Sequence, residues 1–161
     1  MMWIECGKVW INVHALYYQY KKQIYMETAG YSGTPLIKKL GIKTEMKILV
    51  LNPPDNYFEI PGMSISQQLI SNNDTPDLIH LFAKDTAVFI KEMKTVLKLC
   101  KKNTSMVVWV SWYKKSAGIQ SNLSENIIRE FALQHNLVDI KVCAVSSEWS
   151  GLKLVVPVAK R

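Results

Sequence analysis

Met106-Val107-Val108-Trp109-Val110-Ser111-Trp112 is an almost unbroken apolar run with three β-branched valines and two tryptophans. Such a run suits a strand buried on both faces, as in a sheet whose two sides are both covered. The next residues, Tyr113-Lys114-Lys115-Ser116-Ala117-Gly118, are polar, cationic and able to turn. The pair of segments predicts a central strand that delivers lysines and a serine to one rim of a sheet.

Working outward, two earlier β runs stand at Met46–Leu51 and Leu78–Phe82, and two later ones at Val138–Val145 and Leu152–Val156. Pro53-Pro54 ends the first run sharply, because proline lacks the amide a ladder needs. Between the runs lie helical patterns. Thr34 as cap with Pro35 in the first turn and Gly41 as the left-handed stop predict a short helix carrying Leu36 and Leu40. Asp85 predicts the cap of a longer helix with Phe89, Met93, Val96, Leu97 and Cys100 inward and Lys91, Lys94, Lys98 and Lys101 outward. Asn122 and Glu125 have the spacing of a capping box, followed by a stripe of Leu123, Ile127, Ile128 and Phe131. Ser64–Ile70 is expected as a short edge strand, with Asn72-Asn73-Asp74 and Pro76 as loop. Strand, helix, strand, helix, strand and a closing hairpin at Ser146–Gly151 predict one open α/β sheet with right-handed crossovers.

The chain has 161 residues, 48% of them hydrophobic and 20% charged, which suits one domain with a substantial core. A formal net charge of +7 favours anionic partners in a general way. Cys6, Cys100 and Cys143 are odd in number and lack CxxC spacing, and His14, His80 and His135 are scattered. No disulfide framework and no metal site are expected, and a reducing cytoplasm is the simplest setting. Residues 1–25 are rich in aromatics (Trp3, Trp10, Tyr17, Tyr18, Tyr20, Tyr25) and differ in character from the rest of the chain. The apolar patch from Val9 to Tyr18 is too short for a membrane span, and a cationic signal-peptide start is missing. We expect residues 1–25 to be an extension outside the core and residues 26–161 to form the domain.

The motifs YSGTPLIKKLGIK, WVSWYKKSAG and LVDIKVCAVSSEWSGLKLV resemble, in the same order, an uncharacterised bacterial family, number three thousand and fifty-two among the domains of unknown function. The resemblance runs from Tyr31 to Val156, with Tyr113 standing where that family carries proline. It implies no activity. More distantly, KKLGIKTEMKILVL and the later units resemble a reduced class I methyltransferase-like Rossmann domain. That resemblance implies a single open, mostly parallel sheet with helices on both faces and a C-terminal antiparallel hairpin strand. It also implies the strand order first, second, third, fifth, fourth.

A methyltransferase of this fold grips its cofactor on a glycine-rich turn after the first strand, where glycine permits close approach of the backbone. Here that turn reads Asn52-Pro53-Pro54-Asp55-Asn56-Tyr57, without glycine and with two amide donors removed. A self-sufficient S-adenosylmethionine site is disfavoured, and no cofactor is assigned. NPP resembles the NPPY/F motif of amino-methyltransferases, but Asp55 follows and the strand is the wrong one. Ser111-Trp112-Tyr113-Lys114 fits S-x-x-K, whose chemistry needs a helical turn, not an extended strand. His80 on a neighbouring strand is a conceivable base for Ser111, although a satisfied structural histidine is the commoner situation.

The rim is the better candidate. Carboxyl ends of parallel strands share one edge, and ligands of such folds sit there. Asn52, Lys84, Ser111, Lys114, Lys115 and Ser116 should emerge at it, joined by Trp149 and Ser150 from the hairpin. From these we name Asn52, Ser111, Lys114, Lys115, Ser116, Trp149 and Ser150 as candidate ligand-binding residues for a flat, anionic ligand such as a nucleotide. The plainer explanation is lysines lying over apolar surface and an indole plugging the sheet end. The lysine face from Lys91 to Lys101 has no interleaved aromatics, so a nucleic-acid reader is not indicated. The expected function is a cytoplasmic binding or regulatory module for a small anionic ligand or a protein partner. An enzyme with its site at the rim, such as a divergent methyltransferase-like transferase, is the alternative. Exposed Trp112, Tyr113 and Trp149 would be the anchors for a protein partner.

Overall fold

The computed structural model describes residues 33–59, 64–71 and 73–161, the backbone of residues 3–6 and 9–12, and residues 17 and 19. Strands β1 (Trp3–Cys6) and β2 (Val9–Asn12) pair antiparallel as a two-stranded sheet of their own. The side chains of Trp3, Trp10, Tyr18, Tyr20 and Tyr25, the boundary expected at residue 26, and Tyr31-Ser32 lie outside the described residues.

Five strands make the main sheet: β3 (Ile48–Leu51), β4 (Leu78–Phe82), β5 (Val107–Tyr113), β6 (Val138–Ala144) and β7 (Trp149–Val155). Their order is β3-β4-β5-β7-β6, the order implied by the methyltransferase-like resemblance. β3, β4 and β5 pair in parallel, and β7 runs antiparallel between β5 and β6. The sheet is therefore partly parallel and mixed.

Strict alternation along β4 and β5 divides the core in two. Ile79, Leu81, Val108, Val110 and Trp112 point into one cluster with α2 (Thr86–Lys102) and α3 (Glu125–Gln134). Leu78, Phe82 and Trp109 point into the other, with α1 (Leu36–Leu40), Tyr57 and Ile65. The two longer helices thus share one side. Among the described residues the second side carries only the short helix α1 and irregular chain. Trp109 fastens α1 down, its indole N–H donating to the Leu40 carbonyl at 2.9 Å.

Several local expectations need correction. Helix α1 begins at Leu36 with Pro35, in extended conformation, at its cap and no side-chain cap bond, while Gly41 ends it at φ 74° as expected. Ser64–Ile70 is a 3₁₀ turn at Ser66–Gln68 with a single bridge from Leu69 to Ile48, not a strand. Gln68 donates to the carbonyls of Lys43 and Met46, and Ile65 is buried, so side-chain anchors replace a ladder. Ser124, not Asn122, caps α3, because Asn122 receives the Thr86 amide and clips the start of α2. Ile127 is exposed, and Ile128 with Ala132 forms the inward stripe. In α2 Leu99, not Leu97, joins the fully buried stripe, and Asp85 caps the Val88 amide at 2.8 Å as expected.

Gly151 lies across from Ser111 on the second side. A Cβ there would stand 2.9 Å from Val145 Cγ2, 3.3 Å from Trp109 and 3.4 Å from Ser111 Oγ. Gly151→Ala should therefore cost about 1–3 kcal/mol, the usual range for overpacking, read as a lower urea midpoint with an unchanged slope. A midpoint equal to wild type would show that the contact relaxes freely.

Candidate functional site

Three polar side chains lie inside the second cluster as one hydrogen-bonded chain. Tyr57 Oη is 2.8 Å from His80 Nδ1, and His80 Nε2 is 2.7 Å from Ser111 Oγ. His80 and Ser111 are diagonal neighbours on β4 and β5: Ser111 pairs with Phe82, two residues beyond His80. A neutral imidazole accepts at one nitrogen and donates at the other, so the chain runs in a single direction from hydroxyl to hydroxyl. All three residues are fully buried. Burial pulls His80 down to about 3 from its ordinary 6.5 and pushes the Tyr57 phenol up. The pairing of His80 with Ser111 is real, but it is sealed. A nucleophile must meet its substrate, and Ser111 meets packed side chains instead: Phe82 and Gly151 flank it in register.

The chain of contacts continues outward from His80 through aromatic rings. Phe82 stacks on His80 at 4.3 Å between centroids, Trp149 meets Phe82 edge-on at 5.1 Å, and Tyr113 lies over Trp149 at 4.0 Å. These rings floor a cleft of about 370 Å³ over the carboxyl ends of β3, β4 and β5, within the range of ligand pockets. Asn52 and Pro54 from the turn after β3, Lys84 after β4, and Val88, Lys91 and Glu92 on α2 form its walls. Asn52 is left-handed at φ 53°, a conformation that asparagine tolerates better than most residues.

Of the rim residues named from sequence, Asn52 and Trp149 therefore meet in this cleft, together with Lys84. Ser111 lies beneath it, buried. Lys114 is adjacent in the backbone, its amide donating to Glu148 O, yet its ammonium turns to the Ser146 carbonyl at 2.6 Å. Desolvation and then the nearby Lys39 pull the Lys114 ammonium below its usual range. Lys115 lines a separate, wide-open groove with Asp85, Gly118 and Asn122. Ser116 is exposed on the 3₁₀ turn Lys115–Ala117. Ser150 pairs with Trp112 and so projects to the other side of the sheet from Trp149. Phe82, Val88 and Glu92 were missed. Val88, Lys91 and Glu92 share one helical face at i, i+3, i+4, a spacing visible in the sequence once Asp85 is taken as cap. Trp112 and Trp149 are buried, so neither offers the exposed anchor expected for a protein partner. Lys94, Lys98 and Lys101 are exposed along α2.

Among the described residues no three His, Cys, Asp or Glu side chains gather as metal ligands, and no helix is long and apolar enough to cross a membrane. No family model matches the chain, and no curated protein matches it. Among solved structures, the chain is similar to a protein in the NADB-Rossmann superfamily from Streptococcus agalactiae. The identity is 4% and the TM-score 0.40, over 78% of this chain and 69% of that one.

His80 yields a signed pH dependence. Between about pH 3 and 6.5 the unfolded chain takes up a proton that folded His80 refuses. The stability held by the neutral ring is complete above 6.5 and is lost as pH falls toward 3. His80→Gln, which cannot titrate, should flatten the slope of unfolding free energy between those values by up to about 1.4 kcal/mol per pH unit. Identical slopes in denaturant titrations of both proteins would show that folded His80 protonates normally.

Proposed function

We propose that this chain is a non-catalytic binding module whose strand-end cleft takes a small, flat, anionic ligand of nucleotide type. The observation that carries the reading is the convergence of an aromatic floor, whose accessible ring is the half-buried Tyr113 lying over Trp149, with Lys84 in the same lining. A ring stacks on such a floor whatever its hydrogen-bonding pattern, and a cation at the rim attracts a phosphate. The excess of basic residues in the chain favours the encounter with an anion. The glycine-free turn Asn52–Tyr57 and the burial of Ser111 and His80 favour binding without turnover. On this reading the protein is a cytoplasmic member of the family that its three motifs resemble, with residues 26–161 as the binding domain. The remaining rim residues, Lys114, Lys115, Ser116 and Ser150, shape the surroundings without touching the ligand, and no protein partner is needed.

The test is a nuclear magnetic resonance titration of labelled protein with nucleoside monophosphates and, separately, S-adenosylmethionine. Expected are shifts confined to Asn52, Lys84, Tyr113 and the Trp149 indole, with Lys84→Ala weakening the nucleotide by about tenfold and the bare nucleoside hardly at all. Shifts centred on Lys115 and Gly118, or none, would contradict the proposal. A specific response of Asn52–Tyr57 to the methyl donor alone would favour a methyltransferase-like transferase.

A further inference from the structure

Helix α2 turns one carboxylate toward the cleft. The Glu92 side chain is 19% exposed, whereas its ion-pair partner Lys91 is 81% exposed and 3.9 Å away. Among the described residues Lys91 is the one charge that pairs with Glu92. A solvated lysine at that distance contributes little to holding the carboxylate in place. The cleft lining also holds Lys84, a second cation, beside the uncharged Asn52, Pro54, Phe82, Val88, Tyr113 and Trp149. Asp85, another carboxylate near these strand ends, is different: it is committed to the Val88 amide as the cap of α2.

An ionised carboxylate only accepts hydrogen bonds, and it accepts two parallel ones best. Set beside an aromatic floor, it selects a ring whose edge carries adjacent N–H donors. We infer that Glu92 is a specificity-determining residue of the cleft, reading the N–H edge of a guanine-type base while Lys84 holds the phosphate. This rests on the nucleotide-type reading above and narrows it to one class of base. The guanine edge offers a ring N–H and an amino group side by side, matching the two oxygens. Adenine offers an amino group beside a ring acceptor, which would face the carboxylate lone pair to lone pair. Rejection of a ligand that leaves a site's polar group unpaired is the strongest form of discrimination a pocket has.

The experiment is calorimetric titration of the full chain with guanosine and adenosine monophosphates, in wild type, Glu92→Gln and Lys84→Ala. Wild type should hold the guanine nucleotide at least about tenfold more tightly than the adenine one. Glu92→Gln should bring the two within about twofold by weakening only the guanine nucleotide, with melting temperature unchanged. Glu92→Asp, which keeps the charge but withdraws it, should lose part of the preference and serves if the amide variant folds poorly. Equal affinities in wild type, both falling in Lys84→Ala, would overturn the role of Glu92 and leave the anion-binding reading in place. No heat from either nucleotide would overturn both.

Discussion

The hydrogen-bonded chain from Tyr57 through His80 to Ser111 is the constraint on which the strand-end cleft depends. Each of these groups lies in an apolar cluster, where an unpaired hydroxyl or imidazole costs about 1–3 kcal/mol. They can be satisfied only by one another, and only if the turn after β3 folds back over β4. That turn carries Asn52 and Pro54, so the arrangement that satisfies Tyr57 also sets one wall of the cleft. Phe82 stacked on His80, with Trp149 and Tyr113 beyond it, carries the same order out to the surface.

Connectivity explains why the cleft lies where it does. The strand order runs in one direction from β3 to β5, and α2 and α3 both enter the same cluster. Crossovers of one hand along such an order place their helices on one side. Among its described residues, the segment from β3 to β4 has no α-helix to lay down. It contributes the 3₁₀ turns Tyr57–Glu59 and Ser66–Gln68 and buries Tyr57 and Ile65 on the opposite side. A cleft forms where this irregular chain meets the start of α2 above the parallel strand ends. Beneath the cleft, Gly151 leaves Val145, Trp109 and Ser111 room that any side chain would take.

Much of this was legible in the sequence because the signals are local. The apolar runs around Val108, Leu81 and Leu49, the cap at Asp85 and the stop at Gly41 each announce themselves within a few residues, whereas the strand order was implied by the methyltransferase-like resemblance. What failed depends on neighbours distant in sequence. Asn122 has the chemistry of a cap but is taken by Thr86, thirty-six residues earlier. Ser64–Ile70 lacks a ladder because Gln68 finds carbonyls at Lys43 and Met46 instead. At the rim, nearness to a strand end was readable, whereas the direction of each side chain was not. One step along β7 sends Ser150 away from Trp149, and the Lys114 ammonium is drawn to Ser146. Nothing local in the sequence marks Tyr57 as the partner of a histidine on β4.

Amide hydrogen exchange in wild type and Tyr57→Phe tests most directly whether that buried chain holds the cleft wall. Removal of one hydroxyl should speed exchange at Tyr57 and Glu59, whose amides bond within the turn to Pro54 and Asn56, while β4 and β5 keep their protection. Unchanged exchange in the turn would mean that packing alone holds it, and the account would lose the interaction on which it is built.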